Sequence, residues 1–116
     1  MPEYMALLYE SSDDPGQISP DEIQQIIGKY KAWRDRMEAA GHLSGGQKLK
    51  DGEGRVLRAE NGQLRVLDGP YSETKEVIGG YCALHASGYD EAVRLLEDNP
   101  HLEFGGTIEL REVDEV

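Results

Sequence analysis

Sulfur chemistry is nearly absent from this sequence. Its single cysteine, Cys82, rules out an intrachain disulfide and a multi-cysteine zinc site. Long hydrophobic runs are missing too: none approaches the roughly 20 residues that a membrane-spanning helix needs. No basic start followed by an apolar block marks a secretory leader, so the cytoplasm is the expected compartment. Aromatics make up only 7% and apolar residues 38% of the 116 residues, which describes a modest core. That length suits one domain, taken as residues 1–116. Positive charge is the scarcest commodity, with 12 Lys and Arg against 23 Asp and Glu for a net charge of −11. Residues 86–116 hold nine acids and only two bases. Such a surface repels nucleic-acid phosphates and anionic lipid, so neither nucleic acid nor membrane is an expected partner. A local basic pocket could still hold a small anion.

Metal and cofactor signatures are equally thin. The three histidines, His42, His85 and His101, show neither HxH nor HxxxH spacing, so no metal is expected. The glycine-rich residues 41–46 lack the Lys-Ser/Thr ending of a phosphate loop and any dinucleotide fingerprint, so no cofactor is expected. Cys82, inside an apolar segment, reads as a small hydrophobe.

What is present is a legible series of elements. Residues 4–9 form a short apolar run without alternation, read as a strand buried on both faces. Residues 11–16 are a loop by every turn signal. Ser19, Pro20 and Glu22 announce a helix over about residues 20–40, with Ser19 as cap and Glu22 closing a capping box. Ile23, Ile26, Ile27, Tyr30, Trp33 and Met37 supply its apolar stripe, and Gly41 its stop. Gly28 inside that helix costs roughly 1 kcal/mol against Ala; close packing and simple tolerance both remain open as reasons. A weak strand over 42–49 follows, then a turn over 51–54. Residues 55–58 and 64–67 are strands joined across Asn61-Gly62, a strong hairpin signal. Another strand spans about 77–85. Ser87 then caps a second helix that Asn99-Pro100 end, and residues 106–113 alternate as a last strand. Setting the hairpin aside leaves β-α-β-β-α-β, an α+β arrangement of the ferredoxin-like, split-βαβ type with an inserted β-hairpin. Two helices cover one face of such a sheet, so the other is expected to meet a second copy, giving a homodimer through sheet faces.

Residues 68–81 carry the densest chemistry. Asp68-Gly69-Pro70-Tyr71 is followed by Ser72-Glu73-Thr74-Lys75-Glu76 and by Gly79-Gly80-Tyr81. Asp68 serves either as the cap of its own turn or as a carboxylate that orients an imidazole or takes a proton. Glu73 and Lys75 are either a solvated pair or part of a site, and Lys75 is the one cation there suited to hold a substrate anion. Ser72 can donate a hydrogen bond beside it, and the Tyr71 hydroxyl either reaches a ligand or meets solvent. Glu76 reads as solvated. Gly79-Gly80 marks a bulge or a close backbone approach.

These residues closely resemble the signature of the YCII-related proteins of the DGPF type, whose motif has Phe where this chain has Tyr71. The resemblance implies a bacterial protein whose two sheets stack face to face as a dimeric α/β barrel. It also implies a His-Asp pair, for which His42 with Asp68 is the expected match, with Lys75, Ser72, Glu73 and Tyr71 holding substrate. Two functions follow. One is an enzyme performing proton-transfer or elimination-type chemistry on a small aromatic or anionic molecule. The other is a non-catalytic dimeric module for a ligand or protein, regulatory and linked to an alternative sigma factor.

Overall fold

Alternation, hidden in the sequence by apolar residues on both sides, organises the first strand. The computed structural model describes residues 1–11, 18–69 and 76–116. In strand β1 (Glu3–Ser11), Tyr4, Ala6 and Leu8 are buried while Met5, Leu7 and Tyr9 are only half-buried. The expectation of burial on both faces is therefore corrected for the single chain: the helices lie on one face, and nothing among the described residues covers the other to the same degree.

Helix α1 (Pro20–Ala39) begins as its sequence dictates, the Ser19 hydroxyl accepting the Glu22 N–H at 3.1 Å. It closes at Gly41, whose φ of +76° lets His42 N–H reach the Met37 carbonyl at 2.9 Å. The stripe is narrower than expected. Trp33 is buried and Ile26, Tyr30 and Met37 half-buried, whereas Ile23 and Ile27 are exposed. At about 100° per residue the first four fall within roughly 60° of arc, with Ile23 and Ile27 to one side of it.

Strands β2 (Leu43–Lys48), β5 (Glu76–His85) and β6 (Thr107–Glu112) complete the main sheet. All neighbours are antiparallel, in the order β2-β5-β1-β6. Strands β3 (Arg55–Glu60) and β4 (Gln63–Asp68) form a separate two-stranded ribbon. Its tip, Asn61 at φ +52° and Gly62 at φ +77°, is the double left-handed turn that Asn-Gly favours. Gly79 supplies the expected bulge, since Leu8 faces Gly80 but Tyr9 faces Ile78.

The second helical region differs from expectation. Helix α2 (Tyr89–Leu96) has Gly88, not Ser87, at its cap, with no side-chain cap bond. Ser87 instead donates its backbone N–H to the Glu91 carboxylate at 2.9 Å. Asn99 and Pro100 do not merely end that helix; they start a short one, α3 (Pro100–Glu103), in which the Asn99 side chain accepts the His101 N–H at 2.9 Å.

The core lies between the helices and one sheet face: Trp33 with Tyr4, Ala6, Leu84, Ala86, Ala92 and Leu96. Trp33 Nε1 donates to the Leu95 carbonyl at 3.1 Å, tying α1 to α2, and Tyr4 meets Tyr89 edge to face at 4.9 Å. This is a mixed α+β fold in a thin slab measuring 48 × 44 × 18 Å. Its radius of gyration is 16.2 Å, where a compact chain of this length has about 13 Å.

Candidate functional site

The carboxylate expected to do chemistry, Asp68, ends β4 opposite Arg55. Its Oδ1 lies 3.6 Å from Arg55 Nη1, and the side chain is 96% exposed. An ion pair so open to water contributes under ~1 kcal/mol. His42 sits where α1 gives way to β2, and its Nδ1 lies 2.9 Å from the His85 carbonyl. Since a carbonyl only accepts, Nδ1 carries the proton there. Among the described residues no hydrogen bond joins His42 to Asp68. Tyr71, Ser72, Glu73 and Lys75 lie outside the described residues.

A different set of side chains does converge. His101, on α3, places Nε2 2.6 Å from the Tyr9 carbonyl of β1 and Nδ1 3.1 Å from the Tyr30 hydroxyl of α1. The carbonyl cannot donate, so Nε2–H is the donor, and Nδ1 of the neutral ring accepts the Tyr30 O–H. The result is a continuous chain: phenol, imidazole, backbone carbonyl. The ring is held from both ends of its segment. Asn99 fixes the His101 N–H, and Gly106 N–H donates to the His101 carbonyl at 2.8 Å. Gly106 also lies against the imidazole so closely that a side chain there would collide with the ring.

Electrostatics around the chain favour neutral groups. Burial, reinforced by the nearby Cys82 and Glu10, pushes the Tyr30 phenol up to about 12. Burial also raises the Cys82 thiol. Glu10 follows Tyr9 on β1; burial and the charge of Asp51 raise its carboxyl, although Lys48 opposes this. The Lys48 ammonium, 3.0 Å from Asp51 Oδ1, holds Asp51 below the usual carboxylate range. The bulge makes room for Glu10: a Cβ on Gly79 would come within 2.6 Å of its carboxyl carbon. Among the described residues, no group of three or more His, Cys, Asp and Glu is placed to hold a metal ion. No helix among them is long and apolar enough to cross a membrane.

Tyr30 was legible in the sequence only as part of an apolar stripe, and His101 only as a loop residue after Pro100. The one available signal was Asn99-Pro100, a helix start that rigidifies whatever follows it.

Comparison with known proteins bears on the family that the sequence resembles. An uncharacterized protein of Rhizobium meliloti (strain 1021) is 27% identical over 96 residues, covering 82% of this chain and 77% of the relative. Among solved structures, this chain is similar to 5-chloro-2-hydroxyhydroquinone dehydrochlorinase from Burkholderia phenoliruptrix AC1100, in complex with 2,5-dihydroxybenzoquinone. The two share 18% identity at a TM-score of 0.49, over 97% of this chain and 95% of that one. The model of the YCII-related domain matches residues 3–116. With nearly the whole chain inside that match, the protein belongs to the YCII-related domain family.

Proposed function

We propose that this protein is an enzyme of proton-transfer or elimination type acting on a small hydroxylated, aromatic or anionic molecule. The observation that carries the reading is the chain from the Tyr30 hydroxyl through His101 to the Tyr9 carbonyl. A neutral imidazole with its proton held on Nε2 offers Nδ1 as a base. Tyr30, with its phenol held protonated, passes its own proton to Nδ1 while its oxygen takes one from a substrate O–H or C–H. A pair left on carbon then forms a double bond to the neighbouring carbon as the leaving group there departs with its bonding pair, whereas a pair left on oxygen gives the anion of a simple proton-transfer step. In this reading the base is His101 and not His42. Tyr71, Ser72, Glu73 and Lys75 remain the proposed substrate-holding arm, with Lys75 for an anion, and Asp68 moves from the catalytic pair with His42 to that arm.

The assembly proposed for this chemistry is of the DGPF type: one ferredoxin-like domain over residues 1–116, stacked by its open sheet face on a second copy as a dimeric α/β barrel in the cytoplasm. Its support is surface. A compact chain of this mass exposes about 6,300 Å², whereas this one exposes 8494 Å².

The experiment is a screen of chlorinated dihydroxybenzenes for halide release. Activity is expected in the wild type and a loss of about 100-fold or more in Tyr30→Phe and His101→Gln. Equal activity in these variants overturns the relay. A second reading, a non-catalytic dimeric module linked to an alternative sigma factor, is favoured by the acidic residues 86–116, which suit a basic partner surface. Ligand or protein binding that both variants retain, without turnover, would support that reading.

A further inference from the structure

Two apolar surfaces lack a partner among the described residues, and they differ in charge. The first is one face of the β3–β4 ribbon. Leu57 pairs with Val66 and Ala59 with Leu64, so all four project to the same side. Leu57, Leu64 and Val66 are 62%, 67% and 55% exposed. The strands and tip, residues 55–68, carry three arginines against two acids, Glu60 and Asp68, a slight positive excess on a chain whose net charge is −11.

The second surface is a groove of about 210 Å³ lined by Val93, Leu96, Leu102, Ile108 and Leu110, with Glu97 as its one charged side chain. It runs between α2, α3 and β6. That volume is below the roughly 300–1,000 Å³ of ordinary small-molecule sites, and suits protein side chains better. It lies wholly within residues 86–116, the most acidic part of the sequence, with nine acids and two bases. A basic apolar ribbon and an acidic apolar groove are complementary.

We propose that the β3–β4 hairpin of one chain seats Leu57, Leu64 and Val66 in the α2–α3–β6 groove of a second copy, reciprocally about a two-fold axis. The inference rests on the dimer reading above and adds a contact that sheet stacking alone does not contain. The topology allows it. The hairpin leaves the sheet between β2 and β5, at the β2 edge, while the groove lies at the opposite, β6 edge. Stacking two sheets about an axis parallel to the strands brings the β2 edge of each copy beside the β6 edge of the other. The area is sufficient as well. The chain exposes 8494 Å², about 2,000 Å² more than a compact monomer of its mass, and a stable interface takes about 800 Å² per partner.

The test mixes two single-cysteine additions, Leu64→Cys and Val93→Cys, each keeping Cys82, under mild oxidation with wild type as control. A covalent dimer is expected from the mixture and from neither protein alone. Leu64→Glu is expected to weaken dimerisation about tenfold or more, measured by light scattering across a dilution series. A dimer that gives no mixed crosslink, or that is unaffected by Leu64→Glu, overturns the hairpin–groove contact and leaves the sheet-stacked dimer standing. A wild-type monomer at micromolar concentration overturns both.

Discussion

His101 is informative because its surroundings fix its tautomer. With Nε2–H committed to the Tyr9 carbonyl, Nδ1 is left as the acceptor, and Tyr30 is its donor. The same environment makes a stability prediction. The phenol of Tyr30 is raised from 10.0 to about 12. Below about pH 10 it is protonated in both folded and unfolded chains and the full contribution is present. Between about pH 10 and 12 the unfolded chain loses that proton while the folded chain keeps it, so stability falls. Urea unfolding of wild type is expected to weaken over that window more steeply than Tyr30→Phe does; parallel curves would deny the phenol its buried environment. Asn99 is 1% exposed and caps α3, yet its Nδ2 has no hydrogen-bond partner among the described residues. Asn99→Ala should therefore cost about 1 kcal/mol in chemical denaturation, near the middle of the range for lost caps, because an unpaired donor disappears with the cap. None of these partnerships was visible in sequence. His101 meets Tyr30 and Tyr9 across 71 and 92 residues, and no local spacing encodes contacts that only the tertiary fold creates. Asp68 illustrates the converse: sequence offered it a turn or a catalytic role, but not its place at the exposed end of β4 beside Arg55.

Among elements, α1 was the most readable, from its Ser19 cap to its Gly41 stop. What the periodicity blurred was the width of the buried face, because Ile23 and Ile27 are as apolar as the residues that pack. Gly28 is settled by the structure: a Cβ there would have no atom within 4 Å beyond the local helix, so tight packing does not require the glycine. Gly28→Ala is expected to raise the unfolding free energy by about 0.5–1 kcal/mol and to leave activity unchanged; a loss of stability would mean that a neighbour outside the chain uses that space. The Asn61-Gly62 turn and the Gly79 bulge were also legible, since each is a backbone requirement written in residue type. Helix α3 was not. Four residues are too few to show a period, and the cap of α2 depends on Glu91 reaching back to Ser87, a contact that cap statistics at Ser87 would misassign.

For the whole molecule, thinness is the dominant property. A slab with one helix-covered face and one open face has a small core, and its 8494 Å² of exposed surface leaves apolar area to cover. If the chain dimerises as proposed, its apparent mass is twice 12.9 kDa and its melting temperature rises with protein concentration by mass action. Scattering combined with melts over a hundredfold concentration range checks both; a concentration-independent melt of a 12.9 kDa particle rejects the assembly. The α+β order of elements could be read from the sequence because each strand and helix carried its own pattern. The sheet order β2-β5-β1-β6 and the location of the open face required knowing how the strands pair and where the helices lie.

The β3–β4 ribbon has a further consequence for local opening. Among the described residues its two strands hydrogen-bond to each other and to no third strand, and such a ribbon is marginal in water by itself. Its amide protons should exchange with solvent deuterium far sooner than those of β1, which is flanked on both sides by β5 and β6. If the proposed dimer forms, dilution across its dissociation should then speed exchange in residues 55–68 first, while β1 changes last. The least supported strands of the fold would thus report, through their own hydrogen bonds, whether a second chain is present.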